Sequence, residues 1–264
     1  MELLRRHLAP ISEDAWEEID EQAKISLKQF LSARKVVDIE GPKGWDLASV
    51  PNGRMKLDKN QELDVGYGIR QSLPLLEPRV RFTLKKWELD DIGRGAQDPE
   101  LEPLEEAAKK IAFFEENILF NGLKNTGIEG LMQNENKPVK LTQNTSKWVD
   151  KVIEAVYKLN EQAIEGPYAL ILSPELWQGF SYLTECGCSK KEQLEKTIQG
   201  PVILSHYHDS GLLVSIRGGD FVLTLGSDYC IGYEDSNSED VHLYLTESFT
   251  FQIFEPKAII PLVK

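Results

Sequence analysis

Four histidines and three cysteines are the side chains of this 264-residue chain best suited to metal, redox or nucleophilic chemistry. His206 and His208 stand two apart with Asp209 beside them. On a strand they would share a face and could hold a metal weakly, but no third ligand is in view, and a solvated strand-to-turn pair is the better reading. Cys186 and Cys188 repeat the pattern with softer atoms: two thiols suit a soft metal but alone do not make a site, and isolated thiols on a loop without catalysis are the better reading. Gly-x-Ser-x-Gly, Gly-x-x-x-x-Gly-Lys-Ser/Thr and His-Glu-x-x-His are all missing from the sequence, and with them the commonest hydrolase, nucleotide and metalloprotease signatures. The chain reads as a non-enzyme, with no metal ligand set and no catalytic residue.

Composition narrows the alternatives. Hydrophobic residues make up 41%, ordinary for a protein with a packed core and too many for a disordered chain. No apolar run is long enough to cross a bilayer, and the start Met1-Glu2-Leu3-Leu4-Arg5-Arg6-His7 lacks the apolar core of a signal peptide, so a cytoplasmic protein is expected. Three cysteines do not make a disulfide framework. A net charge of −13 argues against holding nucleic acid by phosphate neutralisation and favours cations near the surface.

The elements that must position any function follow from periodicity. Ser12 caps a helix whose first turn holds Glu13 and Asp14, acids placed at the positive end of the dipole. Trp16, Ile19, Ala23, Leu27, Phe30 and Leu31 recur along one face of it. Val36, Val37 and Ile39 start a strand that the turn at Glu40-Gly41-Pro42-Lys43-Gly44-Trp45 ends. Residues 46–80 read as a long hairpin turning at Asp58-Lys59-Asn60, with little apolar bulk of its own and in need of a partner surface. Val80 to Leu84 alternate as a strand, Trp87-Glu88-Leu89 follow at its end, and a polar loop runs from Asp90 to Pro99. Pro103 to Phe120 form the strongest helix, with Leu104, Ala107, Ile111, Phe114 and Ile118 as its buried stripe and Asn121-Gly122 closing it. Helices are expected over Ser146–Asn160, from a Ser173 cap with Pro174 at the first position, and over Lys191–Ile198. Strands are expected at Tyr168–Leu172, Val202–Leu204, Leu212–Ser215, Phe221–Leu225, Val241–Phe254 and Ala258–Val263.

Taken in order, Glu40-Gly41-Pro42-Lys43-Gly44-Trp45, Ser72-Leu73-Pro74-Leu75, Phe82-Thr83-Leu84, Trp87-Glu88-Leu89, Glu165-Gly166-Pro167-Tyr168, Arg217-Gly218-Gly219-Asp220-Phe221, Ile231-Gly232-Tyr233-Glu234-Asp235 and Thr246-Glu247-Ser248-Phe249-Thr250-Phe251 resemble the encapsulins. These are bacterial shell proteins of the linocin-like nanocompartment family. The resemblance covers nearly the whole chain and implies an α+β fold like that of the Hong Kong 97 phage capsid. Its parts are an N-terminal helix and first strand (1–45), an extended hairpin loop (46–80), a peripheral domain with its spine helix (81–130), an axial domain (131–225) and closing strands of the peripheral domain (226–264).

The function implied is self-assembly into an icosahedral shell around a cargo enzyme, a ferritin-like iron oxidase or dye-decolourising peroxidase carrying a C-terminal targeting peptide, for iron storage or protection from oxidative stress. A phage major capsid protein shares the fold and stays open as an alternative; a secreted bacteriocin or protease, an activity attached to some members, fits less well. The resemblance places the cargo-peptide groove at Leu27, Phe30, Leu31, Arg34, Asp38, Ile231 and Tyr233, with Arg34 and Asp38 as polar contacts whose joint removal would spare assembly. It places a pore loop at Glu185, Cys186, Gly187 and Cys188, at the five-fold axis. No cofactor is required by it; a flavin stacked on Trp87, with Arg79 approaching its phosphate, is expected as an optional ligand.

Overall fold

The computed structural model describes residues 3–57, 66–133, 136–142, 144–181 and 189–263. Helix α1 spans Glu13–Phe30, and the Ser12 hydroxyl accepts from the Ala15 amide at 3.2 Å, the cap expected from sequence. Strand β1 is short, Asp38–Glu40, because Val36 and Val37 are taken up by a turn rather than the strand. After it, Lys43 and Gly44 donate main-chain hydrogen bonds to Leu225 and Gly226. Gly41 is required here: at φ 128° a Cβ would lie 2.5 Å from the Leu225 carbonyl oxygen. Strands β2 (Ser49–Leu57) and β3 (Gly68–Pro74) pair only with each other, antiparallel. The expected turn at residues 58–60 lies outside the described residues.

Strand β4 (Arg79–Lys85) runs directly into helix α2 (Lys86–Gly93). Trp87 therefore stands in the first turn of a helix, not at a strand end, and the expected polar loop begins later. Buried Leu89, three residues before the partly buried Ile92, gives this turn an apolar side to pack. Helix α3 (Glu102–Asn121) is the spine, ended by Gly122 at φ 70°. Leu104, Ala107, Ile111 and Ile118 are buried as expected, whereas Phe114 is 38% exposed and Glu115 and Glu116 are fully buried instead.

The chain then forms β5 (Val139–Lys140), α4 (Trp148–Glu161), β6 (Tyr168–Leu172), α5 (Pro174–Ser181), α6 (Lys190–Ile198), β7 (Val202–Leu204) and β8 (Gly211–Ser215). Two long strands follow, β9 (Phe221–Ser236) and β10 (Asp240–Ile253), and β11 (Ile259–Val263) closes the chain. One sheet has the order β1-β9-β10-β4 and a second the order β5-β11-β8-β6-β7. Two expectations are corrected here. The strand at Phe221 does not stop at Leu225 but continues to Ser236, so a boundary at 225/226 cuts a continuous strand. And β11 belongs to the second sheet, antiparallel to β8, not to the sheet that holds β9 and β10. The strand is apolar along its length, as a strand covered on both sides must be.

Two apolar cores result. One lies between α1, α3, β4 and β10, around Ile19, Leu84, Leu104, Ile111 and Leu243. The other fills the second sheet and its helices, around Phe120, Leu170, Phe180 and Leu213, and reaches Phe221 and Phe249 on the lower half of β9 and β10.

Candidate functional site: a groove beside the first helix

Helix α1 packs on α3 through Ala15, Ile19 and Ala23, small enough on its near side to bring the helices together. Its other flank stops short of β9, and the gap is a groove of about 750 Å³. Leu27, Leu31, Ile231 and Leu245 line its apolar part; Arg6, Asp20, Lys24, Lys28, Arg34, Lys35 and Asp228 edge it. Ridges of apolar side chains framed by charge suit an extended or helical peptide that buries a few apolar side chains.

The N-terminal segment forms one wall. Leu4 accepts from the Tyr233 amide at 2.8 Å, and Arg6 stacks 3.9 Å from the Trp16 ring centre while making two bonds to the Asp20 carboxylate. Cys230 also faces the groove, and burial pushes its thiol pKa up.

Of the groove residues expected from sequence, Leu27, Leu31, Arg34 and Ile231 converge there. Three do not. Phe30 points to the opposite flank, edge-on to Phe113 at 5.4 Å and to His206 at 6.2 Å. Asp38 lines a separate pocket of about 250 Å³ and accepts from the Gly219 amide at 2.5 Å. Tyr233 turns its hydroxyl to Ser236. The helical stripe is real, but a stripe about 100° wide feeds two flanks, and Phe30 falls on the far one.

Arg34 is more a strut than an open contact. Its side chain is 13% exposed, and it bonds Glu115 in a fork at 2.5–3.0 Å, Glu247 at 3.0 Å and Asp228 at 2.8 Å while lying 4.6 Å over Tyr229. Burial opposes its charge, yet the Glu115 and Glu247 carboxyls hold its pKa above the ordinary guanidinium value. Glu247 is fully buried, with Oε1 lacking a hydrogen-bond partner among the described residues. Burial first, then the neighbouring Glu115, pushes its carboxyl well up: one guanidinium does not balance two buried carboxylates. Next to it, Glu116 accepts from the Ala33 amide at 2.8 Å and from the Ser32 hydroxyl, and burial pushes it up to about 7. Consecutive glutamates on α3 thus grip the turn that ends the groove. Sequence reading missed them, because Glu-Glu on a helix reads as solvated surface.

The other expected sites fall elsewhere. Glu185, Cys186, Gly187 and Cys188 lie outside the described residues. Trp87 is 72% exposed with Arg94 over its ring at 5.6 Å. Arg79 opens β4 and Trp87 follows its end, so a seven-residue strand separates them by about 20 Å; Arg79 instead stacks on Tyr244 at 4.1 Å. Within one chain, the two are not one flavin site. His206 and His208 are absorbed in aromatic packing, His208 edge-on to Phe120 at 4.7 Å.

Solved structures with the same architecture are capsids. The chain superposes on a virus-like particle from Pyrococcus furiosus with TM-score 0.66 at 19% identity, covering 93% of this chain and 98% of that one. With the capsid of Myoviridae phage XM1 the TM-score is 0.54 at 10% identity, covering 88% and 91%. This is the phage-capsid fold of Hong Kong 97 type. Residues 1–250 match the family described as encapsulating protein for peroxidase. Relatives along the full length include the type 1 encapsulin shell proteins of Rhodospirillum rubrum, 39% identical over 98% of this chain and 95% of that one, and of Mycobacterium tuberculosis, 35% identical over 99% of each. The chain belongs to the encapsulin family, and its role is that of a shell protein rather than an enzyme. Among the described residues, no helix is long and apolar enough to cross a membrane.

Proposed function

We propose that the shell encloses a cargo enzyme held by a C-terminal peptide in the groove between α1 and β9, and that it works in the cytoplasm in iron storage or protection from oxidative stress. The observation that carries this is the groove itself: Leu27, Leu31, Ile231 and Leu245 give an apolar floor within a charged frame. A space of that size takes a few side chains of a peptide, not a folded domain. The cargo is a dye-decolourising peroxidase or a ferritin-like iron oxidase, and the peroxidase is favoured by the description of the matching family.

Shells isolated from the native organism test it. Mass spectrometry of their contents, with absorbance for haem and assay for iron, should find one enzyme in excess of all other proteins. A synthetic peptide copying that enzyme's last fifteen or so residues should then bind the shell chain. Shells that hold nucleic acid and no enzyme would return the chain to the phage-capsid reading. A flavin on Trp87 is a second reading, supported by the open indole face; with Arg79 distant, Arg94 is the cation beside it. Parent shells given flavin should then gain its absorption bands and Trp87→Ala shells should not.

A further inference from the structure

Strand β9 pairs with β10 along one edge, and its other edge is covered at both ends but not between them. At the lower end β1 runs parallel to Val222, Leu223 and Thr224, and the amides of Lys43 and Gly44 donate to the Leu225 and Gly226 carbonyls at 2.9 and 2.7 Å. At the upper end the Tyr233 amide donates to the Leu4 carbonyl at 2.8 Å. Between them the Tyr229 amide is taken by the Asp228 carboxylate at 2.8 Å. Ile231 is left. In an antiparallel pair, alternate residues turn both main-chain groups toward the partner strand, and the residues between them turn both away. Ile231 and Tyr233 stand opposite Leu245 and Leu243 without a register shift between them, and Tyr233 points its amide away from β10, to Leu4. Ile231, two residues earlier, therefore points its N–H and C=O the same way. Neither has a partner among the described residues, although the residue is only 2% exposed. Buried main-chain groups are almost always paired, so this gap is one that a further strand would fill.

The groove opens on this gap, and α1 runs alongside it. At the upper end Arg6, close after Leu4, holds Asp20; at the lower end Arg34, just past α1, holds Asp228 at 2.8 Å. From Asp20 to Leu31 the helix rises about 16 Å, and from Asp228 to Tyr233 the strand covers about 17 Å, so the two walls match in length. Leu27 and Leu31 line the helix wall. Four helical residues set them about 6 Å apart, and alternate side chains of an extended chain stand about 6.7 Å apart. A strand laid in the groove thus presents successive inward side chains to successive leucines. A helix laid there would use its own main-chain groups internally and leave Ile231 unpaired.

We infer that the cargo peptide binds as an added strand, its backbone paired with Ile231 on the open edge of β9 and its inward side chains set against Leu27 and Leu31. This rests on the peptide groove proposed above and adds the conformation of the peptide and the residue that reads its backbone. The chain's own N-terminal segment already pairs with the same edge at Tyr233, which shows that the edge accepts an extended partner. The peptide continues that row toward Lys43 and Gly44. Its class is then a short extended segment with apolar residues two apart, held by main-chain bonds and selected by alternate side chains.

The test uses assembled parent shells and a synthetic peptide of about fifteen residues copying the C-terminus of the enzyme found in native shells. Single N-methyl groups placed at successive backbone positions each remove one donor and leave every side chain unchanged. Affinity should fall about tenfold at one position or at positions two apart, and the positions between should stay within about twofold. Hydrogen exchange with single-residue resolution should show the Ile231 amide slowed several-fold by the unmodified peptide. An unmodified peptide that does not bind would overturn the peptide groove and the added strand together. A peptide that binds but tolerates N-methylation everywhere, loses affinity at consecutive positions or at spacings of three and four, or leaves exchange at Ile231 unchanged would overturn the added strand alone.

Discussion

Replacing Glu116 with glutamine should make the protein more stable, and increasingly so as pH rises. Glu116 is fully buried on α3, accepting from the Ala33 amide and the Ser32 hydroxyl, and its carboxyl titrates at about 7 instead of 4.5 because burial disfavours the charge. A raised folded-state pKa means stability is fully present below pH 4.5 and is lost as pH climbs through 7. At about 1.4 kcal/mol per pH unit across that window, the loss is about 3 kcal/mol. Glutamine keeps the shape, can accept from Ala33 and donate to Ser32, and never ionises. Scanning calorimetry of parent and Glu116→Gln shells at one protein concentration should therefore show melting points that nearly coincide at pH 5 and separate by about 5–10 °C at pH 8. Groups common to both proteins cancel in that difference. They include Glu247, whose raised pKa acts in the same direction, and His208, whose burial lowers its pKa and acts in the opposite one. Parallel melting curves across the whole pH range would refute the reasoning.

Arg34→Ala should lower stability by about 3–5 kcal/mol, because it leaves Glu115 and Glu247 buried without their cation; Lys35→Ala next door, exposed and unpaired among the described residues, should stay within about 0.5 kcal/mol by the same melts. Arg34→Ala shells are thus expected to fail in assembly as well as loading, against the simple contact role. With Cys186 and Cys188 changed to serine, bound cargo peptide should slow alkylation of Cys230 several-fold; an unchanged rate would place the peptide outside the groove.

Much of the fold was legible because periodicity reports burial. The Ser12 cap, the α3 spine and the all-buried run Tyr168–Leu172 follow from residue type and spacing alone. What sequence could not show was which elements share a sheet. Ala258–Val263 looks like any closing strand, and only long-range pairing sends β11 to β8. Helix α2 was missed because eight residues hold too few turns for an apolar stripe to declare itself, and its fold is set by Leu89 and Ile92 packing on a core supplied by distant segments.

The groove shows the same divide one level down. Leu27 and Leu31 are four apart on one helix, so their shared flank is a local fact; Ile231 and Leu245 face them only because β9 and β10 pair in a register that is not local at all. Charge is the least legible part. Glu115 and Glu116 follow Lys109 and Lys110 in a helix that reads as half solvated, yet both carboxyls are buried, for a cation that lies 81 positions earlier than Glu115 and a turn amide 83 positions before Glu116. Burying them is costly in isolation and is tolerated because each meets a fixed donor. That arrangement joins the end of the groove to the spine helix. Whatever displaces Ser32 or Arg34 must also disturb α3, so groove shape and shell framework are mechanically one unit at that point.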